Sequence, residues 1–176
     1  MSLTIHTELG VIRMRLRPDA APNTVAYISK LAQDGAYDNC TFYRSDFVIQ
    51  CGLHGTGRKA PENLKVNETS GESPHSSPTH PPAPSPTHAK APVRRAVGPR
   101  VSNTRGTAAI AHWDVPDCGN SEFFINLGTN AHLDEAYGGY CVFAQVEDDA
   151  SFAIVDAIAA AVKSKSKVAV TRITCP

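Results

Sequence analysis

Thr41 to Gly52 reads TFYRSDFVIQCG, and the rest of the chain is organised around this stretch. A cation (Arg44), an aromatic ring (Phe47) and an amide (Gln50) stand in it among apolar residues. A guanidinium beside an apolar surface can hold a carbonyl oxygen or a lone pair while a hydrophobic side chain packs next to it. In a regular strand Arg44 and Gln50 share one face and Phe47 points to the other. For all three to line one site the backbone has to bend between Arg44 and Phe47, and Ser45-Asp46 is suitable turn chemistry. By itself the stretch reads as a half-buried strand carrying a surface arginine.

Bulk properties narrow the classes. A chain of 176 residues fits one domain with a core large enough to fold alone. Lys and Arg number 17 against 17 Asp and Glu, so composition points to no nucleic-acid and no membrane-surface partner. The start, MSLTIHTELG, lacks the basic-then-apolar layout of a secretory signal, and no apolar run is long enough to span a bilayer. The expected setting is the cytoplasm, with the nucleus as an alternative, and the expected state is a monomer. Five cysteines, odd in number and scattered, argue against a disulfide framework.

Leu3 to His6 and Val11 to Leu16 read as a hairpin, because Val11, Arg13 and Arg15 alternate with Ile12, Met14 and Leu16. Pro22 suits a first helical turn, and Val25, Ile28, Leu31 and Ala32 form an apolar stripe that Gly35 ends. The glycine-rich run Gly52 to Arg58 lacks the following helix and the Lys-Ser/Thr pair of a phosphate cradle. Cys51-x-x-His54 is half of a zinc spacing without its other half, so no metal and no cofactor is expected. Thr107 to Ala111, Phe123 to Leu127, Cys141 to Val146 and Val168 to Ile173 read as strands, with a turn cluster over Asp114 to Asn120. Ser151 to Val162 reads as a second helix with acidic residues before it. About eight short strands and two helices predict a mainly β fold, a closed eight-stranded antiparallel barrel capped by two α-helices.

One region differs. Residues 70–100 hold two copies of Ser-Pro-Thr-His, at Ser77–His80 and Ser85–His88, and almost no large apolar side chains. Such composition predicts a disordered or extended excursion within a single domain spanning 1–176, not a linker between two domains. Ser73, Ser77 and Ser85, each followed by proline, are candidate phosphorylation sites, and His75, His80 and His88 are candidate weak metal ligands.

Two ordered sets of residues resemble the cyclophilin family of peptidyl-prolyl isomerases. The family's F-x-R…F-x-x-Q-x-G appears as Phe42-x-Arg44…Phe47-x-x-Gln50-x-Gly52. Its S-Q-F-F-I run appears as Ser121 to Ile125 with Glu122 in place of Gln, and its L-D…V-F run as Leu133-Asp134…Val142-Phe143. The resemblance implies prolyl isomerisation of protein clients, or a proline-peptide docking module with little turnover. It assigns Arg44, Phe47 and Gln50 to catalysis. It gives Phe47, Ile110, Phe124 and Leu133 to the proline pocket, Gln50 and Glu122 to the peptide backbone, Ala111 and His112 to strand-like pairing, and His132 and Tyr140 to the rim. The chain departs from the family where Ser45-Asp46 shortens the turn before Phe47 and brings a carboxylate beside Arg44 that would compete with substrate. His132 stands where many members carry Trp, which implies reduced affinity for cyclosporin.

Overall fold

Among the described residues the elements run β1 (Ser2–Thr7), β2 (Gly10–Leu16), α1 (Pro22–Gln33), β3 (Cys40–Ser45), β4 (Val48–Gly52), β5 (Thr107–Ile110), β6 (Phe123–Asn126), β7 (Val142–Val146), α2 (Asp149–Lys163) and β8 (Val168–Thr174). The computed structural model describes residues 1–59, 62–68 and 99–176. The Pro/Ser/His-rich stretch, with its candidate serines and histidines, lies outside the described residues except for Pro99 and Arg100. The strands close into a barrel in the order β1-β2-β7-β5-β6-β4-β3-β8, antiparallel throughout.

The alternation in the sequence sets the inside of the barrel. Ile12, Met14 and Leu16 are buried while Arg13 and Arg15 are exposed. They join Leu3, Ile5, Phe42, Ile49, Phe123, Ile125 and Phe143 in one core. Full burial of such a side chain contributes roughly 1.5–3 kcal/mol. The two helices carry apolar stripes and close the barrel. Val25, Ile28 and Leu31 of α1 and Val155 and Ile158 of α2 all enter that core.

Each helix is started by a carboxylate, though only one is local. Asp148 caps α2 by accepting from the Ser151 amide at 2.7 Å, and this bond holds its carboxyl pKa below the usual carboxylate value. At α1 the N-cap position is Ala21, which offers no side-chain acceptor. Glu68 serves instead. Its Oε1 accepts from the Asn23 amide and Oε2 from the Thr24 amide and hydroxyl, at 2.8–2.9 Å, from 44–45 positions away. Orphan N–H groups at a helix start need an acceptor, and here a buried carboxylate from the 62–68 strap supplies it.

Candidate active site

The TFYRSDFVIQCG stretch is a hairpin, and its bend falls at Asp46-Phe47, one residue beyond the expected Ser45-Asp46, because Ser45 still pairs with Ile49. β3 and β4 are joined through Asp46 and Phe47, so Arg44 and Gln50 become direct cross-strand partners. The Asp46 amide donates to the Val48 carbonyl, and the Val48 amide returns a bond to Asp46 Oδ1. This places Phe47 at the hairpin tip, 43% exposed, with the Arg44 guanidinium carbon 5.5 Å from its ring centre. One residue in the hairpin has no cross-strand partner. Phe42 pairs with Cys51 and Arg44 with Gln50, so Tyr43 is the extra residue of a β-bulge. Tyr43 and Arg44 would otherwise point to opposite faces. The bulge turns both toward the same groove.

That groove has a volume of about 790 Å³ and lies over the faces of β3, β4, β5 and β6 that do not fill the barrel. Its apolar floor is a second, smaller cluster of Val48, Ala109, Phe124, Leu133 and Val142, with Tyr140 packed edge-on to Phe124 at 5.6 Å. Arg44, Phe47, Gln50, Ala111, His112, Glu122, Phe124, Leu133 and Tyr140 all line it, so the structure draws most of the expected residues together. Two lie elsewhere. Ile110 pairs with Phe123 and is 2% exposed in the barrel core, because strand alternation turns Ala109, not Ile110, toward the groove. His132 does not line the groove; its ring packs against Phe47 at 5.6 Å, behind the hairpin tip. The Ala111 amide is already used, donating to the Glu122 carbonyl at 2.8 Å. Both ring nitrogens of His112 face carbonyl oxygens, of Trp113 and Gly139, and the ring stacks on Tyr140 at 4.2 Å.

Arg44 is held on two sides. Nε and Nη2 reach Asp46 Oδ2 at 2.8 and 2.7 Å, while Nη1 donates to Gln50 Oε1 at 3.0 Å. The Arg44–Asp46 pairing expected from the sequence is therefore present in the geometry. Both side chains are 43% exposed, and an ion pair that wet contributes about 0–1 kcal/mol. A guanidinium has five N–H donors, so one on Nη1 and one on Nη2 remain beyond these contacts. The groove beside them is open.

Sequence reasoning did not find Tyr43, Val48, Leu53, His54 or Trp113 on this surface. Tyr43 donates to Glu122 Oε2 at 2.7 Å and accepts from Gln50 Nε2 at 2.7 Å. Burial first, and then Glu122, push the Tyr43 hydroxyl well above the usual phenol range. Glu122 Oε1 also takes the His54 amide at 3.0 Å. The half-zinc spacing dissolves: Cys51 faces Cys40 inside the barrel at 3.4 Å, whereas the His54 ring lies outside against Tyr43 at 5.0 Å.

A polar network behind the site fixes Phe47. Its carbonyl accepts from the Leu127 amide and from Asn130 Nδ2. Asn130 Nδ2 also donates to Asn126 Oδ1, and Asn126 Nδ2 to Asn103 Oδ1. Asn103 in turn donates twice to Asp134 Oδ1, and Ser102 donates to Asp134 Oδ2. Burial works to raise the Asp134 carboxyl, but the bonds from Ser102 and Asn103 outweigh it and hold it below the ordinary value. Next to Asp134 is Leu133, in the groove floor, so the hairpin tip and the floor share one support.

Comparison with known proteins bears on what this groove is for. The model of the cyclophilin type peptidyl-prolyl cis-trans isomerase/CLD family matches residues 2–175. A peptidyl-prolyl cis-trans isomerase of Synechococcus elongatus is 34% identical over 154 residues, covering 86% of this chain and 83% of that protein. Peptidyl-prolyl cis-trans isomerase B of Bacillus subtilis is 35% identical over 145 residues, covering 81% and 80%. Among solved structures, a cyclophilin type isomerase of Cryptosporidium parvum crystallised in the presence of the dipeptide Ala-Pro superposes with a TM-score of 0.72. Its identity is 18%, over 100% of this chain and 99% of that one, which speaks for the shared barrel alone.

Proposed function

This chain belongs to the cyclophilin-type peptidyl-prolyl cis-trans isomerase family, and from that premise we propose that it rotates X-Pro bonds of protein clients with Arg44 over the Phe47/Phe124 groove. The imide barrier is about 20 kcal/mol, because the nitrogen lone pair delocalises into the carbonyl. No nucleophile is required. A catalyst holds the proline ring, grips the flanking carbonyl and stabilises nitrogen as it becomes pyramidal. Lowering the barrier by roughly 7 kcal/mol accelerates the step about 10⁵-fold.

The residues suit those tasks. Phe124, Leu133 and Val48 offer an apolar seat for the proline ring, with Phe47 as its wall. The outward N–H groups of Arg44 donate to the prolyl carbonyl and to the nitrogen lone pair in the twisted state, where donors already fixed in place count for most. Gln50 and Glu122 flank the peptide backbone. Because the Ala111 amide is engaged, strand-like pairing falls to the Ala111 carbonyl and the His112 backbone. His132 offers imidazole where an indole would strengthen cyclosporin binding, so cyclosporin binds weakly; a nanomolar Kd in titration would overturn this.

The observation that carries the reading is the Arg44 guanidinium 5.5 Å from the Phe47 ring at the edge of an open apolar groove. A protease-coupled or NMR exchange assay on a short X-Pro peptide tests it. Arg44→Ala should lower kcat/KM by about 100-fold or more. The Arg44–Asp46 pair is the one feature favouring the other reading, a docking module with little turnover. Wild type no faster than Arg44→Ala, with peptide still bound, selects that module.

A further inference from the structure

We propose that Tyr43 is a positioning residue that, together with Glu122, fixes the direction of a hydrogen-bond chain ending on Arg44. The proposal rests on the isomerase reading of the groove. The chain runs Glu122 Oε2, Tyr43 hydroxyl, Gln50 amide, Arg44 Nη1, with contacts of 2.7, 2.7 and 3.0 Å. It exists because the bulge at Tyr43 turns that side chain onto the same face as its neighbour.

The polarity of the chain follows from what each group can do. A carboxylate only accepts, so the Tyr43 hydroxyl must give its single proton to Glu122. That hydroxyl stays protonated, its ionisation pushed up by burial and by Glu122. The Tyr43 oxygen is then left as an acceptor, and Gln50 must present Nε2 to it. Gln50 Oε1 is thereby aimed at Arg44, where a guanidinium, with donors only, needs an acceptor. No other arrangement satisfies all four groups. With Gln at position 122 the hydroxyl could donate to Gln50 instead, the amide could flip, and an NH₂ would face the guanidinium. Glu122 therefore does more than border the groove: its charge type settles how Gln50 points, and Gln50 settles which Arg44 N–H groups remain for substrate.

The test uses the full chain and two readouts. In the Tyr43→Phe variant kcat should fall about tenfold while KM changes by less than about twofold, since a mispositioned catalytic group affects the rate step more than binding. The Arg44 Nη1–H cross-peak in a low-temperature NMR spectrum should shift or broaden, because Nη1 is the atom that Gln50 Oε1 holds and Gln50 is then free to turn. In an Arg44→Ala background, Tyr43→Phe should have no further effect on kcat. An unchanged cross-peak in Tyr43→Phe, or the same fold loss with Arg44 absent, overturns the proposal. Should Tyr43→Phe fail to fold, Glu122→Gln takes its place: the cross-peak must move there also, and an unmoved peak overturns the proposal. The cross-peak is independent of turnover. If wild type is no faster than Arg44→Ala the isomerase reading fails, and the cross-peak still decides whether the chain of bonds exists.

Discussion

Nε and Nη2 of Arg44 converge on a single oxygen of Asp46, the residue two positions along in the hairpin turn. The same carboxylate uses its other oxygen to accept the Val48 amide and close the turn. Asp46 is thus a turn former that also pairs with the Arg44 guanidinium. Asp46→Asn keeps an oxygen for the turn and removes the charge. It should raise kcat/KM by about two- to fivefold at low salt, the equivalent of a wet ion pair of up to about 1 kcal/mol. The gain should shrink as salt rises, because salt screens the wild-type pair. Peptide assays at low and high ionic strength check this. A fall in kcat/KM would mean that Asp46 orients the guanidinium instead of competing for it.

The barrel was readable from sequence because its signals are local. Ile12, Met14 and Leu16 alternate with exposed arginines, and Val25, Ile28 and Leu31 repeat at helical spacing. The site was less readable because its geometry depends on departures from regular strands. Nothing in Phe42-Tyr43-Arg44 announces a bulge, yet without one Tyr43 and Arg44 could not both face the groove. The resemblance assigns Ile110 to the pocket, although strict alternation beside Phe123 and Phe124 puts Ala109, not Ile110, in the cluster under the groove. Glu68 had no legible role, since its partners Asn23 and Thr24 lie far upstream and no sequence rule joins them.

Glu68 is 4% exposed and holds the start of α1 with both oxygens, one accepting from Asn23 and the other from Thr24. Glu68→Gln preserves shape but sets an NH₂ against amide and hydroxyl donors. Hydrogen bonds to a charged acceptor contribute about 1.5–3 kcal/mol, and stranding buried donors adds to the loss. The variant should be destabilised by roughly 2–4 kcal/mol in urea or guanidinium denaturation. A value within about 0.5 kcal/mol of wild type would show that the helix start is satisfied by water.

Burial works to raise the Asp134 carboxyl, but the bonds from Ser102 and Asn103 hold it below the ordinary carboxylate range in the folded chain. A depressed folded-state value means that the unfolded chain binds the proton first as pH falls. The stabilisation is therefore complete above the ordinary carboxylate range and is lost as pH drops from about 4 through the lower folded value. Asp134→Asn should flatten this part of the curve: the gap in denaturation midpoint between wild type and variant narrows from pH 6 toward pH 3. A gap that is constant or widens on acidification contradicts the assignment.

Gly52 lies directly under Glu122: a Cβ built there would sit 2.2 Å from Glu122 Cδ and 2.3 Å from either oxygen. The clash is with the far end of a flexible side chain, not with backbone, so the side chain can swing away. Gly52→Ala should therefore cost little stability, below about 1 kcal/mol. It should nevertheless part Glu122 from Tyr43 and the His54 amide, which are held only by that rotamer. Activity should drop toward the level of Tyr43→Phe while the melting temperature stays within a few degrees of wild type. In a Glu122→Ala background the three atoms nearest the added methyl are gone, and Gly52→Ala should change neither quantity. If Gly52→Ala unfolds the protein even there, the glycine is required by the β4 backbone and not by the carboxylate above it.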